Sequence, residues 1–357
     1  MTDAPIPVEP IPVEVDDLTA EWFTSALGAH VTRADVVDRH SGTTGRVKVA
    51  LSGAASVPER VFVKLPPFDA EQRVFVNEVG MGVTEARFFR EVASEVPVRV
   101  PRPLHAAFDG DDRYVMVLED LEASGCRFPR REDADIEHRT RDIVDELARL
   151  HARYWESARF AEGGDLGWIA PKGTGRGDGG AQFVRMAVDA YAARLPAGFL
   201  PLAEFYLERS REVLPLYREG ERTLVHGDPH LGNLFVDSDR TGFLDWAMIA
   251  YAPGIRDVAY VLCNSVPTEL RRAFERELVT RYCAVLAERG ITLDVDEAWE
   301  QYRLFAVYSW VSATCTVGMG SKWQPERIGL GGTTRATLAA VDLDALGLLE
   351  TRLGRVT

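Results

Sequence analysis

The apolar pattern of this 357-residue chain changes period once, near residue 120, and that change constrains the fold more than any other feature. Before it, short β-branched or alternating runs are separated by turns. After it, apolar residues recur every three or four positions over long stretches. Residues 31–40 are β-branched, 41–45 (Ser-Gly-Thr-Thr-Gly) read as a turn, and 47–51 alternate. Residues 60–65 (Arg-Val-Phe-Val-Lys-Leu) form a further strand, ended by Pro66 and Pro67. Strand, glycine-containing turn, strand, loop, strand is an antiparallel meander. Another pair of strands, 105–108 and 114–118, flanks the turn 109–112. Two helices belong to this front part. One covers 17–27, with Leu18, Trp22, Phe23 and Leu27 on one face; the main one covers 77–94, with Val83, Phe88 and Val92, and is broken by the prolines at 97, 101 and 103.

Behind residue 120 the spacing predicts a helix over 136–155, carrying Ile143, Leu147, Leu150, His151 and Trp155. Helices over 182–194 and 202–217 follow, and the remainder from 255 is mostly helical. Between them lie a short strand, 224–226, and a hairpin pairing 233–236 with 242–244. The expected fold is α+β in two lobes. Residues 1–120 supply an antiparallel sheet with one main helix, preceded by a poorly ordered tail to about residue 12. Residues 121–357 supply a mostly helical lobe. Two units also suit the length, which exceeds what one compact core supports.

The formal net charge of −14 argues against nucleic acid as a partner, because phosphate backbones are bound by clustered Lys and Arg. A nucleotide needs only a few local cations and a metal, so it stays open. The first residues lack the basic start and apolar run of a signal peptide. The longest uncharged stretch, 304–320, is rich in Ser, Thr and Gly and falls short of a membrane span; it reads as a buried helix. Cys126, Cys263, Cys283 and Cys315 are scattered without ligand spacing, which suggests neither a disulfide framework nor a zinc site. A cytoplasmic protein with no membrane partner is the expectation.

Chemistry concentrates in residues 224–246. Asp228 follows a strand in the run His226-Gly227-Asp228-Pro229-His230-Leu231-Gly232-Asn233, and Asp245 lies beyond the hairpin. A hairpin brings its ends together, so Asn233 and Asp245 can reach one metal cluster while Asp228 faces a substrate. These are the parts phosphoryl transfer demands: a triphosphate held in place, one or two magnesium ions on it, and a hydroxyl in line. Magnesium prefers carboxylate and amide oxygens. A carboxylate beside the incoming hydroxyl orients it and accepts its proton.

The pattern His226-Gly227-Asp228-x-His230-x-x-Asn233 resembles the catalytic motif of the aminoglycoside phosphotransferase and choline kinase group, which has the protein-kinase-like fold. Protein kinases space the same Asp and Asn alike in their catalytic loop, with arginine where this chain has Gly227. Asp245-Trp246 resembles the start of their metal-binding Asp-Phe-Gly triplet. The resemblance implies that Asp228 is the catalytic base and that Asn233 and Asp245 hold Mg2+. Upstream, Lys64 resembles the strand lysine that contacts the α- and β-phosphates. Glu85 resembles the helix glutamate paired with it, with Glu78, two turns earlier, as the alternative. Residues 115–121 look like the hinge, where the backbone around Glu119 and Leu121 would hydrogen-bond adenine. Residues 147–152 and Trp155 are similar to the first long helix of the rear lobe. The resemblance spans roughly 35–320. Residues 63–67 and 118–121 suggest the ecdysteroid-kinase-like branch.

One departure is the glycine loop. Gly42-Thr43-Thr44-Gly45 stands where protein kinases carry G-x-G-x-x-G, and its backbone amides and threonine hydroxyls can still contact phosphate.

Each feature also has a plainer reading. An Asp before Pro by itself bends a turn, and a strand lysine discourages edge pairing. Asp228, Asn233 and Asp245 together, and Lys64 ahead of an acidic helix, favour the chemical readings. His226 and His230 lack a third strong metal ligand and read as supports of the loop. Asp257 opens a helix, where its dipole stabilises a carboxylate; the resemblance adds a role bracing the loop. Trp246 reads as packing. The glycine-rich run 173–180 lacks the strand and the Gly-Lys-Ser/Thr ending of a P-loop, and reads as a mobile loop near an acceptor site. The implied activity is an ATP- or GTP-dependent O-phosphotransferase using Mg2+ on a hydroxylated small molecule. An aminoglycoside- or macrolide-inactivating kinase and a non-catalytic nucleotide-binding pseudokinase are the alternatives.

Overall fold

The computed structural model describes residues 10–110, 112–169, 179–321 and 323–354. The tail through residue 9 and most of the glycine-rich run (173–178) lie outside the described residues. The chain divides into two units. One comprises residues up to Val96, Val100–Arg127 and Leu244–Met248; the other comprises Pro97–Arg99, Phe128–Phe243 and the chain from Ile249 on.

The first unit contains α1 (Ala20–Leu27), β1 (Val31–Ser41), β2 (Gly45–Gly53), β3 (Arg60–Leu65), α2 (Ala70–Val79), α3 (Met81–Glu91), β4 (Pro103–Phe108) and β5 (Tyr114–Glu119). The five strands form one antiparallel sheet in the order β1-β2-β3-β5-β4. Side chains alternate across a strand. Val47, Val49, Val61, Val63, Val115 and Val117 therefore share one face, and they are buried with Trp22 and Phe23 of α1 in a single apolar cluster. Burying each such side chain contributes about 1.5 kcal/mol or more. The alternate positions bring Arg46 directly opposite Lys64, and Lys64 opposite Met116.

The front helix differs from expectation. The span 77–94 is not one helix: α2 starts earlier, capped by the Asp69 side chain on the Gln72 amide at 2.9 Å, and ends at Gly80. Gly80 takes φ +73, a left-handed conformation that suits glycine and terminates a helix. Glu78 and Glu85 thus stand on different helices.

The second unit contains α4 (Ile136–Tyr154), α5 (Gly179–Tyr191), α6 (Phe199–Leu216), β6 (Arg222–Val225), β7 (Leu234–Asp237), β8 (Arg240–Phe243), β9 (Ala250–Pro253), α7 (Ile255–Asn264), α8 (Thr268–Ala287), α9 (Val295–Gly318), α10 (Glu326–Asp342) and α11 (Ala345–Leu353). Trp310, Leu304 and Val307 of α9 bury against Phe199, Tyr206 and Val213 of α6 and Ala336 of α10. The uncharged stretch 304–320 is thus largely the buried part of α9. Among the described residues no helix is long and apolar enough to cross a membrane. β7 and β8 form the expected hairpin, and β6 pairs with β9. β9 was not expected: Ala-Tyr-Ala-Pro is short, ends in proline and has no alternation to read. Its pairing with β6 steadies the strand that delivers His226 and Asp228.

Candidate active site

Two clusters of candidate residues are built, one in each unit. In the first, Lys64 sits in β3, only 4% exposed, and its Nζ donates to Glu85 Oε1 at 2.6 Å and Oε2 at 2.8 Å. Glu85 lies on the face of α3 turned to the sheet and is fully buried. Its carboxylate also accepts the Trp246 amide at 3.1 Å. Asp245 approaches the same lysine, Oδ1 lying 3.5 Å from Nζ. Burial pushes the Glu85 carboxyl up, and the Asp245 charge pushes the same way against the pull of Lys64.

Asp245 has φ +66, a left-handed conformation uncommon for a side chain other than glycine. Such a conformation persists where its surroundings dictate it. Here the next residue is anchored: the buried Trp246 ring stacks on Phe88 of α3 with centroids 4.2 Å apart and planes at 7°. Together with the Trp246 amide on Glu85, this fixes the backbone that carries Asp245 beside Lys64. The packing reading of Trp246 matches its place. Glu78 is exposed on α2, so Glu85 is the glutamate the structure pairs with Lys64.

The turn Gly42-Thr43-Thr44-Gly45 joins β1 to β2, closed by the Gly42 amide on the Thr44 carbonyl at 3.1 Å. The Thr44 side chain is buried and its hydroxyl accepts from Arg46 Nε at 3.4 Å. At the other end of the sheet, the Glu119 amide donates to the Arg102 carbonyl at 3.0 Å, and its carboxylate takes the Arg102 amide at 2.7 Å. The Leu121 carbonyl accepts from the Cys126 amide at 2.9 Å.

Arg46 is the residue sequence reading passed over. Its Nη2 stands 3.5 Å from Asp245 Oδ2. Like charges directly opposite on neighbouring strands repel, so Arg46 facing Lys64 needs an anion between them, and Asp245 meets both. The signal existed in principle: residues 54–59 join β2 to β3, and once those two strands are in register Arg46 and Lys64 are cross-strand partners.

In the second unit the loop after β6 is held by one carboxylate. Asp257, fully buried in the first turn of α7, accepts the His226 amide on Oδ2 at 2.6 Å and the Gly227 amide on Oδ1 at 3.0 Å. Gly227 takes φ +86, where a side chain would be strained. His151 of α4 holds Asp257 from another side, Nε2 lying 3.3 Å from Oδ2, while its Nδ1 meets the Tyr282 hydroxyl at 2.9 Å. Burial pushes the Asp257 carboxyl up, but the His151 hydrogen bond and the charges of His151, His226 and Arg256 outweigh it and hold the group below its ordinary value.

Asp228 then projects from a fixed loop. Its amide donates to His226 Nδ1 at 3.3 Å. The Asn233 side-chain amide donates to the Asp228 carbonyl at 3.0 Å and to Oδ2 at 3.1 Å, and His230 Nε2 lies 3.6 Å from Oδ2. Further on, the Leu231 amide donates to the Ser265 hydroxyl at 3.0 Å. Both histidines thus contact the loop as supports.

The sequence matches no curated protein. Solved structures with similar folds include an ethanolamine kinase from Plasmodium vivax, 14% identical over 91% of this chain and 84% of that one, with a TM-score of 0.53. An aminoglycoside 2'-phosphotransferase-IIIa solved with GDP is 12% identical over 90% and 99%, with a TM-score of 0.52. A choline kinase from Cryptosporidium parvum is 10% identical over 90% and 90%, with a TM-score of 0.51. At these identities the likeness concerns the fold. A family model described as a phosphotransferase enzyme family matches residues 39–305, well over half of the sequence. The chain therefore belongs to that phosphotransferase enzyme family.

Proposed function

We propose that the protein transfers the γ-phosphoryl group of a nucleoside triphosphate, ATP or GTP, to a hydroxyl of a small molecule. The observation that carries this reading is the buried Lys64, gripped by Glu85 at 2.6 Å with the Asp245 carboxylate 3.5 Å away. A desolvated lysine held by two carboxylates, one of them 16% exposed on its side chain, is a cation kept in place for an anion.

In this reading Lys64 and Arg46 take the phosphates and the Leu121 amide and Glu119 carbonyl take the base, while the turn 42–45 lends its amides to the phosphates. The residue types suit magnesium: Asp245 would offer a carboxylate, and Asn233, whose amide nitrogen is engaged by Asp228, would offer its carbonyl oxygen. Two protein oxygens are what Mg2+ usually takes when phosphates supply others. When bound, the ion would neutralise charge on the phosphates. Asp228 orients the acceptor hydroxyl and receives its proton. Asn233 restrains the carboxylate, and Asp257 fixes the backbone beneath it. Most of the acceleration would come from such positioning.

The test is nucleotide consumption against aminoglycosides, macrolides, sugars, amino alcohols and sterols, with wild type and Asp228→Ala. Wild type should turn over at least one class. Asp228→Ala should lose about 10²–10⁴-fold in kcat with nucleotide affinity kept. Wild-type-like turnover by Asp228→Ala refutes the role of Asp228. Magnesium-dependent nucleotide binding without turnover on every acceptor would make the protein a non-catalytic member of its family.

A further inference from the structure

We propose that Gly82 is a positioning residue for the Lys64–Glu85 pair: its lack of a side chain lets α3 lie directly on the Tyr114 ring of β5, and that contact sets how near Glu85 comes to Lys64. The inference rests on the phosphate-binding role of Lys64 given above. Both contacts join the same helix to the same face of the sheet. Tyr114 stands two residues before Met116, on the same face of β5, and Met116 is the cross-strand partner of Lys64. Gly82 stands three residues before Glu85, on the same side of α3. Three residues further on, Phe88 carries the stack with Trp246.

The approach at Gly82 leaves no room for a side chain. A Cβ there would lie 2.5 Å from the Tyr114 hydroxyl oxygen and nearer still to Cζ and Cε1 of the ring. Carbon atoms in favourable contact stand about 3.5–4.0 Å apart. Gly82 and Tyr114 are both buried, the tyrosine completely, so the ring has no solvent-side space to turn into. The Tyr114 hydroxyl is buried without a hydrogen-bond partner among the described residues. It is therefore the bulk of the ring, and not a polar contact of its hydroxyl, that meets the helix.

A methyl group at position 82 has to push α3 off the sheet by about 1.5 Å. One turn along, Lys64 Nζ meets the Glu85 oxygens at 2.6 Å and 2.8 Å, and such a shift carries a hydrogen bond past its limit of about 3.2 Å. The lysine then either releases Glu85 or follows it away from Asp245, whose Oδ1 lies 3.5 Å from Nζ. In both cases the cation leaves the place where it would meet phosphates.

Alanine is the better helix former, so a loss on Gly82→Ala does not come from the helix itself. Crystal structures should show the Lys64–Glu85 separation widened beyond about 3.5 Å in this variant. Calorimetry with MgATP, or with MgGTP where the wild type binds that nucleotide, should give a dissociation constant about tenfold higher, as for loss of one hydrogen bond to a charged group. Tyr114→Leu ends short of Cε1 and Cζ and makes room for the methyl. Added to Gly82→Ala, it should restore the pair and bring binding to within about threefold of Tyr114→Leu alone. Tyr114→Phe keeps both ring atoms and should restore neither. A role in packing alone would lower stability without this pattern of rescue. Should Gly82→Ala fail to fold, Tyr114→Leu and the double variant carry the test. Wild-type nucleotide binding by Gly82→Ala overturns the proposal, as does a double variant that folds or binds no better than Gly82→Ala. Should the wild type bind neither nucleotide, the phosphotransfer reading fails, and the Lys64–Glu85 separations in the crystal structures still decide the place of Gly82.

Discussion

In the first unit the candidate carboxylates are held by cations: Glu85 by Lys64, and Asp245 by Lys64 and Arg46. In the second unit they are held chiefly through backbone and side-chain N–H groups and an imidazole: Asp257 by two backbone amides and His151, Asp228 by the Asn233 amide. The difference matters for what each cluster can do. A carboxylate shared between two cations can hand those cations to another anion and turn to a metal instead. A carboxylate locked under a loop by backbone amides cannot leave without unfolding the loop, and serves to fix geometry. The first arrangement suits binding of a polyanion; the second suits orientation of a reacting group.

Breaking one partner of the buried ion pair should have the largest effect. Lys64→Met leaves Glu85 fully buried and without its counter-charge, and should cost about 3–5 kcal/mol in urea unfolding. Adding Glu85→Gln should recover most of that loss, because glutamine is neutral and still accepts the Trp246 amide. Asp228→Ala in the same assay should change stability by less than about 1 kcal/mol, since its side chain is 27% exposed and among the described residues its ion-pair partner is the partly exposed His230. A double variant no more stable than Lys64→Met would mean that charge is not what holds this cluster.

Asp257→Ala is the corresponding break in the second unit. It strands the His226 and Gly227 amides in a buried place and should cost about 2–3 kcal/mol. Hydrogen exchange should report the same event locally: the amides of 226 and 227 lose protection while those of β3 and α3 keep theirs. Equal loss of protection in both units would erase the distinction drawn above.

How much of this was legible beforehand depends on how far apart in space the evidence lies. Asp228, Asn233 and Asp245 were singled out from their places around a strand and a hairpin, readable in one dimension, and Lys64 and Glu85 from their resemblance to the family's paired lysine and glutamate. The α+β layout followed from periodicity alone. Arg46 escaped because its importance depends on strand register, which a one-residue slip would have reversed. The break at Gly80 was hidden because an isolated glycine inside a helical pattern is often tolerated. Ser265, just past α7, carries no local signal, and His151 reads in the sequence only as a position of the long helix, with nothing to point it at Asp257.

Arg46→Gln tests whether the first cluster really holds cations for an anion. It leaves no buried charge stranded, because Arg46 is partly exposed and Asp245 keeps Lys64. Stability should shift by no more than about 0.5 kcal/mol, and relief of its repulsion with Lys64 acts in the favourable direction. KM for the nucleotide should rise about tenfold, the equivalent of one charge-assisted contact. An unchanged KM would reduce Arg46 to a structural partner of Thr44 and Asp245.

The smallest effect, and the one that separates the clusters by sign, is the pH dependence of stability. The Asp257 carboxyl is held below its ordinary 3.8 in the folded chain. Its contribution is therefore complete above that value and is lost as the pH falls through the lower folded value, because the unfolded chain then binds the extra proton first. Glu85 runs the other way. Its carboxyl is raised above 4.5, so the folded chain holds the proton longer, and the associated stability is present below 4.5 and fades as the pH rises through the folded value. Asp257→Asn should flatten the acid side of a stability–pH curve below about pH 4, and Glu85→Gln should flatten the slope above about pH 4.5, as expected from those directions. Urea unfolding from pH 3 to pH 8 on wild type and the two variants measures both limbs. Identical slopes in Glu85→Gln and wild type above pH 4.5 would show that Lys64 fully offsets the burial of Glu85. The first cluster would then be a balanced ion pair, and the contrast between the two clusters would rest on their partners alone.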